Sequence, residues 1–150
     1  MSFAHLTLAT RDVIASRDFF AGTLGWEPIE RPGNIDVEAA WLRIAPGQEL
    51  HLLRVPDFEP SGFEREFGRH FAVEYPADGF AGLKERLAKR GAELIDPIRE
   101  TPFERFFFRD PNGYVIELTT KTEDHDSILD PATNNARRIL DGWQASKAAS

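Results

Sequence analysis

An α+β domain made of two tandem βαβββ modules is what the sequence predicts, and three observations predict it. An alternating apolar run is followed by an amphipathic helical stripe and a glycine, and this combination occurs twice. Each occurrence is followed by a short strand and a hairpin whose turn centres on a glycine, Gly47 or Gly113. The intervals also match. His5 to Gly25 spans 20 residues and His70 to Gly91 spans 21, while His5 to His51 spans 46 and His70 to Glu117 spans 47.

In the first module, Ala4, Leu6 and Leu8 alternate with Phe3, His5 and Thr7, the pattern of a half-buried strand. Thr10, Arg11 and Asp12 supply capping chemistry for a helix over about 13–24, with Val13, Phe20 and Leu24 near helical spacing and Gly25 as its stop. Residues 26–30 read as a short strand, and 39–44 and 48–55 as a hairpin around Pro46-Gly47. The second module repeats this order. Phe71, Val73 and Tyr75 oppose His70, Ala72 and Glu74, and a helix over about 79–90 carries Phe80, Leu83 and Leu87 on one stripe. A strand over 92–97 and a closing hairpin over 103–118 follow, turning at Asp110-Pro111-Asn112-Gly113.

The domain therefore spans 1–120, with modules at about 2–55 and 69–120 and a linker at 56–68. Residues 121–150 form a tail, in which Ala136, Ile139, Leu140 and Trp143 predict an amphipathic helix over about 131–143, with a frayed end beyond it.

A chain of 150 residues suits one domain. A net charge of -7 argues against a nucleic-acid partner. The absence of cysteine excludes disulfides and thiolate chemistry. No apolar run approaches the roughly 20 residues of a membrane span, and the first residues lack the pattern of a signal peptide. The expected setting is cytoplasmic.

Three of the four histidines occupy equivalent points of the repeat, and Glu117 occupies the fourth. His5 and His70 fall on first strands and His51 and Glu117 on last strands, in each case on the face opposite the helix-packing residues. A carboxylate in an apolar run needs a compensating charge. Three imidazoles and a carboxylate form a standard donor set for one divalent metal ion: Zn, Ni, Co, Mn or Fe. Glu49 lies on the same face as His51, so a register shift exchanges them, although the distance from Gly47 favours His51. His125, in a polar tail, reads as solvated. Trp26, Trp41, Phe106, Phe107 and Phe108 are possible pocket walls, and Arg43, Arg54, Arg69, Arg105 and Arg109 possible anchors for an anionic substrate.

Three stretches carry a family resemblance: His5-Leu6-Thr7-Leu8, Phe19-Phe20-Ala21-Gly22-Thr23-Leu24-Gly25-Trp26, and Arg109-Asp110-Pro111-Asn112-Gly113-Tyr114-Val115-Ile116-Glu117-Leu118. Over about 2–120 the chain resembles the vicinal oxygen chelate superfamily of glyoxalase I, methylmalonyl-CoA epimerase, fosfomycin-modifying thiol transferases, extradiol dioxygenases and bleomycin-binding proteins. The resemblance implies curled mixed sheets around a metal cleft and a homodimer with shared sites. It also implies a small-molecule substrate bound through two adjacent oxygens, with the metal as Lewis acid. His5, His70 and Glu117 match the ligands of the dioxygenases and thiol transferases. Glyoxalase I and the epimerase use a fourth position, Glu or Gln where this chain has His51.

The activity implied is a glyoxalase-I-like lyase or isomerase acting on an α-oxo or α-hydroxy compound, with Glu117 as proton shuttle. The alternatives are an Fe(II) dioxygenase using His5, His70 and Glu117, and a binding protein without catalysis.

Overall fold

The computed structural model describes residues 3–120 and 143–149. Residues 1–120 form one compact unit and 121–150 a second. The first unit contains β1 (His5–Thr10), α1 (Val13–Leu24), β2 (Glu27–Ile29), β3 (Ala39–Ala45) and β4 (Gln48–Arg54). These are followed by β5 (His70–Glu74), α2 (Phe80–Lys89), β6 (Glu93–Ile95), β7 (Arg105–Arg109) and β8 (Val115–Thr119). The two sheets have orders β1-β4-β3-β2 and β5-β8-β7-β6. In each, the first strand pairs parallel with the last, and the hairpins pair antiparallel.

Local chemistry explains the boundaries. The Asp12 carboxylate accepts from the Ala15 amide at 2.9 Å and starts α1. Gly47 and Gly113 take φ of 74° and 87°, the left-handed region that a tight hairpin turn demands. At Gly113 a side chain would also strike Pro60.

One core joins the modules. Phe20, Leu42, Leu50 and Leu52 of the first pack in the same cluster as Leu83, Leu87, Phe108, Ile116 and Leu118 of the second. Each sheet thus gives one face to the helices and keeps the other for the imidazoles. Arg90, which caps α2, and Arg86 within it donate to the Asp18 and Thr23 carbonyls of α1 at 3.0 and 3.1 Å. The β7–β8 turn reaches across as well. The Thr10 hydroxyl donates to Asn112 Oδ1 at 2.6 Å, Asn112 Nδ2 donates to Ser16 Oγ at 3.0 Å, and the Ala9 amide donates to the Tyr114 oxygen at 3.1 Å.

The segment 56–68, expected to be a linker, is seated on the second sheet. Arg109 donates to the Ser61 and Glu64 carbonyls at 3.2 and 2.8 Å, and its Nε meets Glu93 at 2.9 Å. Glu66, from the same segment, is buried. Arg109→Met is expected to cost about 2 kcal/mol in urea unfolding, because it strands carbonyls that are partly shielded from water. The same change should speed tryptic cleavage at Arg65 and Arg69.

The predicted tail helix over 131–143 lies almost wholly outside the described residues, as does His125. Residues 143–148 are helical and exposed, although the chain beyond 143 was expected to fray, and the Ala149 amide donates to the Ala145 carbonyl at 3.2 Å. Alanine-rich composition favours that outcome. Among the described residues no helix is long and apolar enough to cross a membrane.

Candidate metal-binding site

The two modules place their polar residues in the same register. His51 on β4 stands opposite Thr7 of β1 and Trp41 of β3; Glu117 on β8 stands opposite Ala72 of β5 and Phe107 of β7. His51 and Glu117 are thus structurally equivalent, and each has an aromatic cross-strand neighbour.

On the first sheet, the His51 ring is stacked against both His5 and Trp41, with ring centres 4.3 Å apart in each case. His51 Nε2 lies 2.9 Å from Glu49 Oε2. An ionised carboxylate only accepts, so Nε2 carries a proton, and in the neutral ring Nδ1 keeps its lone pair. Glu49 and His51 stand side by side on one face, Glu49 opposite His5 and His51 two pairs further along, opposite Thr7.

On the second sheet, His70 Nδ1 lies 3.1 Å from the Gly68 carbonyl. A carbonyl also only accepts, so Nδ1 is the donor and Nε2 bears the lone pair in the neutral ring. That Nε2 faces Glu117 Oε2 at 3.3 Å. A lone pair and a carboxylate oxygen repel at this distance unless a cation lies between them or the ring is protonated. The outer nitrogen held by a backbone carbonyl is the usual arrangement of a metal-bound histidine, and the same geometry serves an ion pair with a protonated ring. Phe107 closes the pair edge-on, 5.3 Å from the His70 ring.

Within one chain the four residues remain two pairs, His5 with His51 and His70 with Glu117. Among the described residues no three histidine, aspartate or glutamate side chains gather closely enough to hold a metal ion. A cleft of about 750 Å³ lined by Phe3, Leu6, Trp26, Ile44, Phe71 and Val73 includes none of the four.

The proposed walls divide. Trp41 and Phe107 face the imidazoles, while Trp26 stacks on Phe20 at 5.3 Å and Phe106 and Phe108 lie in the core. Alternation explains the split, because neighbours on a strand point to opposite faces. The five arginines weighed as anion anchors are all engaged by carboxylates: Arg43 by Glu27, Arg54 by Glu38, Arg69 by Glu64, Arg109 by Glu93, and Arg105 by Glu66 and Glu117. Of these, Arg105 reaches one of the four candidate ligands, its Nη1 3.4 Å from Glu117 Oε1. Glu66 was not singled out by the sequence. Its position in a charged, glycine- and phenylalanine-containing stretch gives no periodic signal.

Comparison with known proteins agrees with this architecture. The model of the Glyoxalase/Bleomycin resistance protein/Dioxygenase superfamily matches residues 2–118. The chain is 27% identical over 123 residues to Glyoxylase I 4 of Arabidopsis thaliana, covering 78% of this chain and 69% of that protein. Among solved structures, a glyoxalase/dioxygenase from Nostoc punctiforme superposes with a TM-score of 0.67 at 24% identity, covering 81% of this chain and 92% of the other. The fosfomycin resistance protein FosX from Mesorhizobium loti does so with a TM-score of 0.63 at 19% identity, covering 81% and 92%. At these identities the two structures speak to the fold alone.

Proposed function

Because the chain belongs to the glyoxalase/bleomycin resistance protein/dioxygenase superfamily, we propose that it is a metal-dependent lyase or isomerase of the glyoxalase I type, acting on a small α-oxo or α-hydroxy compound. The observation that carries this reading is the His70 Nε2–Glu117 Oε2 juxtaposition at 3.3 Å, matched at the equivalent strand positions of the other module by the His5–His51 pair. We assign His5, His51, His70 and Glu117 as ligands of one divalent ion, Zn, Ni, Co, Mn or Fe. Since one chain keeps them as two pairs, the complete set requires a homodimer in which His5 and His51 of one chain meet the second-sheet pair of its partner.

Held there, the ion would supply Lewis acidity to two adjacent substrate oxygens. The chain supplies the rest. Glu117, held on Oε1 by Arg105, would release Oε2 from ligation to take a proton from the carbon beside the carbonyl and return it to the neighbouring carbon. Trp41 and Phe107 wall the faces from which the imidazoles project and limit access of water. His51, kept in one tautomer by Glu49, takes the place that Glu or Gln has in glyoxalase I, so proton transfer falls to Glu117 alone.

The test is proton exchange in deuterated water at the carbon beside the carbonyl of simple α-hydroxy ketones and aldehydes, with Zn, Ni, Co or Mn added singly. Exchange that depends on the metal and drops about 10²–10⁴-fold in Glu117→Gln supports the reading. Metal-loaded protein that exchanges no proton overturns it, and substrate-dependent oxygen uptake with iron would place the chain among the oxygenases instead.

A further inference from the structure

The second module carries a device that the first lacks. Arg105, almost fully buried on β7, sits on the same face as Phe107 and is opposite Thr119. The corresponding position in the first module is Ala39, opposite Leu53. The repeat therefore does not require an arginine here, and burying one is costly unless its charge is met. It is met from two sides. One Nη is in direct contact with Glu66 and also donates to the Arg99 carbonyl at 2.6 Å; the other donates to Glu117 Oε1 at 3.4 Å. The guanidinium plane lies 5.4 Å from the centre of the Phe107 ring.

Glu66 is fixed just as firmly. One of its oxygens holds Arg105, and the other accepts from the Ile98 and Arg99 amides, the latter at 3.1 Å. Burial pushes its carboxyl up, but Arg105 and these two amides outweigh burial and hold it below the usual carboxylate range. Glu66 belongs to segment 56–68, so a residue outside both modules reaches Glu117 through a single guanidinium.

The Glu117 carboxylate is thereby divided. Oε1 belongs to Arg105, and Oε2 faces His70. A carboxylate free to rotate has no such bias. The cluster of Glu66, Arg105 and Glu117 also carries two negative charges against one positive, which favours a cation at its open end beside His70.

We propose that Arg105 and Glu66 are positioning residues that present Glu117 through one oxygen, so that metal capture at His70 and Glu117 and the seating of segment 56–68 are coupled. This rests on the reading of that pair as ligands. Coupling is reciprocal: whatever seats the segment favours the metal, and the metal favours the seated segment.

The experiment uses the full chain with Co(II) alone as probe. Affinity is read by competition with a chromophoric chelator, and seating of the segment by tryptic cleavage at Arg65 and Arg69. Glu66→Gln is expected to weaken Co(II) binding about 10–100-fold, the range for partners of metal ligands, and to speed cleavage. Arg105→Lys, which keeps the charge and loses the two-sided fork, is expected to move both in the same direction. In the unaltered protein, Co(II) is expected to slow cleavage at both arginines, an arm that needs no variant to fold.

Wild-type affinity in Glu66→Gln, or cleavage indifferent to bound Co(II), would overturn the coupling. His70→Ala separates the two levels. If it binds Co(II) as tightly as wild type, or if wild type binds none, the ligand reading itself fails and the coupling fails with it.

Discussion

Equimolar His5→Ala and His70→Ala proteins, each nearly devoid of bound metal alone, are expected to recover about one quarter of the wild-type metal sites when unfolded and refolded together. The number follows from symmetry. In a two-fold dimer each site takes its first-sheet pair from one chain and its second-sheet pair from the other. Random pairing makes about half the dimers mixed. In a mixed dimer both lesions fall into one site, and the other is intact. The reason for expecting a shared site is the division of the four residues into His5–His51 and His70–Glu117, with no three ligand side chains gathered closely enough to hold an ion among the described residues of one chain. Elemental analysis of the mixture against each parent reads the result. If sites formed within single chains, every chain would carry a lesion and mixing would restore nothing, which would sink the dimer reading.

Several features of this arrangement were legible in the sequence because they are local and periodic. Counting from Gly47 and Gly113 puts His51 and Glu117 at equivalent positions, and the strand registers do the same by pairing Trp41 with His51 and Phe107 with Glu117. The α1 limits at Val13 and Leu24 follow from Asp12 and Gly25, whose capping roles depend only on near neighbours.

What the sequence hid is relational. Arg105 and Glu66 lie 39 residues apart and meet only because segment 56–68 folds back over the second sheet. No alternation or helical stripe records such a return, so the segment read as a linker and Arg105 as one of five possible anchors for an anionic substrate. The separation of the ligands was hidden for the same reason. Periodicity assigns each residue to a face of its own sheet and carries no information about which sheet that face meets.

The turn Asp110-Pro111-Asn112-Gly113 gives the second large effect. Asp110 is buried where the second module grips the first, accepting from the Asn112 and Tyr114 amides at 2.9 and 2.8 Å and from Asn112 Nδ2 at 3.0 Å. Burial nevertheless dominates these donors and raises its carboxyl from 3.8 to about 6. A carboxyl raised on folding contributes stability that is fully present below 3.8 and is lost as pH rises through about 6. The full difference corresponds to about 3 kcal/mol, of which about 1.4 kcal/mol is present at pH 5 and about 2.4 kcal/mol at pH 4. Glu66 and Glu93, both held low by arginines, act in the opposite sense and lose their contribution as pH falls. The comparison must therefore be with Asp110→Asn, which shares every other titration. Urea unfolding of the two proteins from pH 7.5 down to pH 4 should move in favour of the wild type by about 2.4 kcal/mol. A difference that does not change with pH would mean that Asp110 is ionised in the folded state at no cost. The Thr10, Ser16 and Asn112 network explains how the protonated form is accommodated: both hydroxyls can reverse their donor roles, and the Asn112 amide can turn to offer Asp110 its oxygen.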